Sequence, residues 1–269
     1  MAIDRADCDD ETAGRGRRLM NERRIQILKD ISSNEKITVA ELAIRYNVSQ
    51  VTIRSDLRAL QGHGLIRRVH GGASSEQISN RLHSNYDVKS RIAEKAAQMV
   101  DPGETIMIES GSTNALLARK IGEVQDVTIV TNSYFIANYV RDLPRVKVIA
   151  LGGDFQPDSE VCVGPLTRQS LQSFYVDKLF IGSDGYSEES GFTCVNLQRA
   201  EVVNAMARCA RKKIILTDSS KFFNRGVARQ LPLSEVSMVI TDDGIPEQAR
   251  QALARHRVEL VVVPREGAL

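Results

Sequence analysis

The chain has 269 residues, of which 42% are apolar and 26% charged, with a formal net charge of +2. That is enough for one large domain, or for a small domain joined to a medium one, at a composition ordinary for a globular protein. Several classes are excluded. Apolar runs such as "VELVVV" are far too short to span a bilayer, and the acidic start "MAIDRADCDDETAG" is no secretory signal, so a cytoplasmic protein is expected. The four cysteines, Cys8, Cys162, Cys194 and Cys209, are scattered without a C-x-x-C pair. They read as reduced thiols rather than a disulfide frame or a zinc site, and no metal or cofactor is expected.

Charge is unevenly distributed. Met1 to Gly14 holds one Arg and five acids, net −4; Arg15 to Ala73 holds twelve Lys/Arg and five acids, net +7; the remainder holds 23 bases and 24 acids, net −1. Residues 1–18 are expected to be a disordered tail, and residues 19–73 a small basic module. Such asymmetry suggests a polyanion partner for that module alone.

Within the module, "NERRIQILKDIS" reads as a helix with Ile27, Leu28 and Ile31 on one side. In "ITVAELAIRYN" the spacing of Thr38 and Glu41 predicts a capping box, and Ile37 and Leu42 a hydrophobic staple. Val39, Leu42, Ala43 and Tyr46 make one apolar stripe. "NVS" breaks the helix, with Asn47 suited to a left-handed turn and Ser49 to capping the next helix, Gln50 to Gln61. There Ile53, Leu57 and Leu60 face inward, while Gln50, Val51, Thr52, Arg54, Ser55 and Arg58 face outward or open the helix. Two helices on a short turn, the second armed with arginine and small polar groups, predict a helix-turn-helix. Arginine suits guanine edges and phosphates, glutamine suits adenine, and exposed methyls suit thymine. "GLIRRVHGGA" then predicts a short strand pair, with Arg67, Arg68 and His70 projecting as a wing toward the DNA backbone or minor groove.

The stretch "VSQVTIRSDLRALQGHGLIRRVHGGA" resembles the winged helix-turn-helix signature of the DeoR family of bacterial transcriptional regulators. That family's usual second arginine in TIRRDL is Ser55 here. The residues expected to contact an operator are Thr38, Ser49, Gln50, Val51, Thr52, Arg54, Ser55, Arg58, Arg67, Arg68 and His70.

Residues 74–88 are polar and read as a linker, with residues 89–269 forming the second domain. Short β-rich runs there alternate with helical ones, predicting an α/β fold: a doubly wound, mostly parallel sheet with helices on both faces. In such sheets ligands bind beyond the carboxyl ends of the strands. The polar strand ends are "IESGSTNALL" (Ser110, Gly111, Ser112, Thr113, Asn114), "VTNS" (Thr131, Asn132), "LGGD" (Gly152, Gly153), "IGSDG" (Asp184) and "TDSSKF" (Lys221). Together they suggest a polar, phosphorylated ligand. There is no G-x-G-x-x-G and no G-K-[ST], which argues against a dinucleotide and a nucleoside triphosphate.

These landmarks, with "GG", "VGP" and "GFTC", resemble the effector domain of the same family, which is related to sugar-phosphate isomerases. The resemblance implies a repressor of carbohydrate genes that answers to a phosphorylated sugar or sugar alcohol. A homo-oligomer, a dimer or tetramer, is expected because a lone small module makes few base contacts and symmetry doubles the site. The resemblance also implies a phosphate loop at Gly111, Ser112 and Thr113, faced by Lys221. Two departures stand out. Glu109 replaces the usual Asp before the first loop, and "NLQRAEV" has Gln198 and Arg199 where a Glu-Ala pair often opens the helix. The alternative is an isomerase or deaminase carrying an appended DNA module, with Glu109, Asp154 or Asp184 as the base. Recognition without turnover is expected, since those carboxylates serve equally well to bind sugar hydroxyls.

Overall fold

The computed structural model describes residues 22–33, 37–62, 67–69, 72–74, 81–82 and 84–265. Two compact units divide between Ser84 and Asn85. The expected tail, Leu65, Ile66, His70, Cys8 and residues 75–80 and 83 of the expected linker lie outside the described residues.

In the first unit, helix α1 (Glu22–Ser33) precedes strand β1 (Ile37–Thr38), helix α2 (Val39–Arg45) and helix α3 (Gln50–Gly62). The capping box forms as the spacing requires: Thr38 Oγ1 accepts from Glu41 N at 3.2 Å, and Thr38 N donates to Glu41 Oε2 at 2.7 Å. Those bonds hold the Glu41 carboxyl below its ordinary range. Asn47 takes a left-handed φ of 49°, and Ser49 Oγ accepts from Thr52 N at 3.1 Å to start α3. Ile27, Ile31, Leu42, Ile53, Leu57 and Leu60 are fully buried between the three helices. Strands β2 (Arg67–Val69) and β3 (Gly72–Ser74) pair antiparallel, and β3 also pairs with β1. The wing is therefore a three-stranded sheet that continues to Ser74, one residue into the expected linker. The spacing offered no sign of β1, because a two-residue strand has no period to read.

The second unit opens with α4 (Tyr86–Ala97), which begins inside the segment read as linker. Its sheet has seven strands in the order β15 (Glu259–Val263), β14 (Met238–Asp242), β12 (Ala210–Leu216), β9 (Val176–Ile181), β4 (Thr105–Ile108), β5 (Val127–Thr131), β6 (Val146–Ala150). Every pairing is parallel. The helices between them are α5 (Ser112–Val124), α6 (Tyr134–Tyr139), α7 (Pro165–Leu171), α8 (Leu197–Arg208) and α9 (Glu247–Arg255). The chain winds from β4 out to β6, returns to β9 on the other side of β4, and winds out again to β15. Right-handed crossovers therefore put α5 and α6 on one face and α8 and α9 on the other. One large core packs α8 and α9 residues, among them Val202, Val203, Met206 and Leu253, against the sheet residues Met107, Leu179, Ile181, Ile215 and Val239.

Two features have no counterpart in the sequence reading. A hairpin, β7 (Asp154–Gln156) and β8 (Val161–Val163), follows the edge strand β6, and an antiparallel sheet of β10 (Gly185–Ser187), β11 (Gly191–Cys194) and β13 (Ala228–Leu231) lies beyond β9 and β12. Strands of three or four residues carry too little alternation to be read as pattern.

Candidate DNA interface and effector site

On α3 the outward face is clear of ion pairs among the described residues. Val51 is 68% exposed, and Gln50, Arg54, Ser55 and Arg58 are exposed, with Thr52 half-buried. Arg54 reaches only Gln50 Oε1, at 3.2 Å, and Arg58 has no partner among the described residues. Other cations of the module are committed to the fold. Arg23 and Arg24 both bind the buried Asp56, at 2.7 and 2.8 Å, tying α1 to α3, and Arg45 binds Asp30 at 2.8 Å. The net charge of this segment thus overstates what a polyanion can use, while the α3 arginines remain available. Thr38 gives its hydroxyl to the capping box, accepting from Glu41 N and bonding Glu41 Oε2 at 2.8 Å. Its backbone N–H is engaged as well, donating to Glu41 Oε2 at 2.7 Å. Ser49 Oγ is likewise engaged by Thr52. Arg67 and Arg68 lie on β2, and His70 falls outside the described residues.

In the second unit the winding reverses between β4 and β9, so the crevice of a doubly wound sheet lies beyond those two strand ends. The chain after β4 enters it with Glu109, Ser110 and Gly111. Gly111 takes φ +125°, a backbone that other residues rarely adopt, and α5 then starts without a side-chain cap. Ser112 and Thr113 are buried in its first turn. Uncapped N–H groups at a helix start favour an anion. Gly182, after β9, approaches so closely that a Cβ there would lie 3.1 Å from Ser110 O.

Beneath this crevice sits a charged cluster. Arg199, on the first turn of α8, is placed by its backbone N–H donating to the cap residue Asn196 at 3.0 Å. Its Nη2 donates to Glu109 Oε1 at 3.3 Å and to Ser110 Oγ at 3.2 Å, and its Nη1 reaches Asp184 Oδ2 at 3.5 Å. Ser110 Oγ donates to Glu109 Oε1 at 2.6 Å, and Gly182 N donates to Glu109 Oε2 at 3.3 Å. The Arg199 and Glu109 side chains are 7% and 1% exposed, and Arg199 Nε is buried without a partner. Burial pushes the Glu109 carboxyl up, with Arg199 and Ser110 pulling against it. For Arg199 burial works to lower the pKa, but Glu109 and Asp184 outweigh it and raise it. Sequence reasoning missed Arg199 as a site residue. The available signal was that Glu109 and Arg199 both stand at departures from the family pattern. They meet in space as one ion pair.

The remaining strand ends are less convergent. Asn114 is fully buried and spends its Nδ2 on Glu109 O and Ser110 O, bracing the loop from below. Thr131 Oγ1 accepts from Ser133 N, and Asn132 Nδ2 donates to Cys162 O, fastening β5 to the β7–β8 hairpin. Gly152 O accepts from Thr167 Oγ1 at 2.7 Å, and a Cβ on Gly153 would strike Val163 O at 2.5 Å, so Gly153 has a packing reason, whereas a Cβ on Gly152 would meet open space. Lys221 lies in a 3-10 turn, Ser219–Phe223, at the end of β12, and its ammonium has no partner among the described residues. β12 is two strands from β4, about 10 Å at the usual spacing, a gap that a lysine and a small ligand could bridge together. No group of side chains suited to a metal ion occurs among the described residues, and the described cysteines, Cys162, Cys194 and Cys209, are free thiols.

A helix-turn-helix with an unpaired reading face, followed by a doubly wound domain with a polar crevice, defines a transcriptional regulator with a sensor domain. Comparison with known proteins agrees: residues 23–79 match the DeoR-like helix-turn-helix domain and residues 84–243 the DeoR C terminal sensor domain. The chain belongs to the DeoR family. It is 32% identical to the uncharacterized HTH-type transcriptional regulator YgbI of Escherichia coli K12, over 91% of this chain and 98% of that one. It is 30% identical to a putative aga operon transcriptional repressor of Escherichia coli O157:H7, over 90% and 94%. Among solved structures, a ribose 5-phosphate isomerase A from Methanocaldococcus jannaschii is similar with TM-score 0.39 and 21% identity, over 51% of this chain and 55% of that one. Among the described residues no helix is long and apolar enough to cross a membrane.

Proposed function

We propose that this protein is an operator-binding repressor of carbohydrate genes, acting as a homo-oligomer and released by a phosphorylated sugar or sugar alcohol. The observation that carries the DNA half is the face of α3, where Arg54 and Arg58 are exposed and unpaired by acid while Arg23, Arg24 and Arg45 are not. Arg54→Ala or Arg58→Ala should cost about 1–3 kcal/mol of operator binding where the side chain reads a base, with relaxed specificity there. Where it meets only phosphate, the salt slope should fall by about one instead. Unchanged binding in both variants by gel shift across a salt series would refute this reading face.

The effector's phosphate would rest on the N–H groups of Ser112 and Thr113 with Lys221 opposite, and its hydroxyls near Asp184. To regulate, the ligand must prefer one of two arrangements of the oligomer, and a coupling of about 1–3 kcal/mol would change operator affinity about 5–150-fold. Wild type should respond to the phosphosugar in operator-release titrations, Lys221→Ala should need much more of it, and the unphosphorylated sugar should be inert. Equal responses would sink the phosphate site. Recognition without turnover is supported by Glu109, which is held by Arg199, Ser110 and Gly182 rather than poised over the crevice. Isomerised product after incubation with sugar phosphates would favour the enzyme alternative.

A further inference from the structure

A cavity of about 360 Å³ opens beside the small antiparallel sheet, walled by Tyr186, Phe222, Phe223 and Pro246, with Arg225 and Glu188 at its polar side. We propose that it is a second ligand site, built for a small aromatic monocarboxylate. Tyr186 stacks obliquely on Phe222, with centroids 5.0 Å apart, and Phe192 backs both rings from behind. That makes a firm aromatic wall. Phe223, the next residue, is 72% exposed, an apolar ring that a planar guest would cover.

The charges choose the rest of the guest. Glu188 is already held by Arg255 at 2.6 Å, whereas Arg225 is exposed and has no partner among the described residues. One available guanidinium beside a carboxylate fits a bidentate monoanion and disfavours a phosphate dianion. The volume lies at the small end of ligand pockets, which suits a single ring with a short acidic arm. The loop that supplies Phe223 and Arg225 is fixed to the sheet: Tyr186 N donates to Asn224 O at 2.9 Å and Gly226 N to Thr193 Oγ1 at 2.9 Å. Tyr186 follows Asp184 by two residues, and Phe222 follows Lys221 directly. Both walls therefore continue from segments of the effector crevice. A guest that clamps them would tune effector affinity, a consequence that rests on the effector reading, whereas binding itself does not.

Titrate the full-length protein with 4-fluorophenylacetate and follow fluorine NMR line broadening. Saturable binding is expected, with Arg225→Leu weakening it about tenfold or more through loss of a charge-assisted contact. Phe223→Ala should weaken it too, 4-fluorobenzyl alcohol should bind far less well, and acetate should not compete. Gly111→Val should lose any phosphosugar response yet keep the probe, which separates this site from the effector reading. No saturable binding would overturn the proposal, as would equal binding in both variants. So would a changed oligomeric state in the variants without any probe binding, since the cavity would then seat another copy of the chain.

Discussion

Each unit holds an ion cluster around one buried charge, and the two central charges are of opposite sign. In the first unit one carboxylate, Asp56, holds two arginines, whose side chains are 34% and 15% exposed. In the second, one arginine, Arg199, holds two carboxylates and is itself 7% exposed. The Asp56 cluster keeps its cations partly in water, so desolvation is modest and the cluster works as a clamp between α1 and α3. The Arg199 cluster takes a guanidinium and a carboxylate almost fully out of water and still leaves Nε unpartnered. Replacing such a buried pair by apolar side chains is often neutral or stabilising. A cluster of that kind, lying where the sheet's winding reverses, is better explained by what it holds in place than by stability.

The comparison breaks most sharply at Arg199. Arg199→Met strands Glu109 and should lower the stability of the second unit by about 3–5 kcal/mol in urea unfolding. Adding Glu109→Gln to that variant should recover most of the loss, and a double variant no better than the single would mean that the pair is not coupled. Asp56→Ala should cost less, about 2–3 kcal/mol, because Arg23 and Arg24 can turn to water. It should also weaken operator binding by loosening α3, without changing its sequence preference. If Asp56→Ala proved the costlier of the two, the exposure argument would fail.

Thr38→Ala removes the cap of α2 and should cost about 1 kcal/mol, visible as a lower midpoint in thermal unfolding of the first unit with the second unit unmoved. The smallest effect is that of pH, since Arg199 and Ser110 oppose the burial that raises Glu109. A carboxyl whose folded pKa is raised favours folding below its ordinary value of 4.5 and loses that contribution as pH climbs through the folded value. Wild type should therefore lose stability relative to Glu109→Gln over that interval. Asp242 acts in the opposite sense: burial works to raise its pKa, but Arg265 and the Ser219 and Gly244 N–H groups hold it low. The comparison must accordingly be made against Glu109→Gln and not read from wild type alone. A pH-independent difference between the two proteins would argue against a raised Glu109.

Local chemistry was legible in the sequence. The capping box at Thr38 and Glu41, the turn at Asn47, the buried stripe of Ile53, Leu57 and Leu60, and the alternation that makes a parallel sheet all depend on residues within one turn or one strand of each other. A pattern of period 3.6 or 2 records such neighbours directly. Tertiary structure decided the pairings between distant residues. Asp56 meets Arg23 and Arg24 from another helix, and Arg199 meets Glu109 across 90 positions of chain. Strand order then sorted the polar strand ends, bringing Ser110 to Thr113 and Asp184 to the winding reversal and leaving Gly152 and Gly153 at the edge. A buried charge is identical in sequence to a solvated one. Only the fold removes the water around it: Arg199 is buried against two carboxylates, whereas Arg58 stays exposed to water.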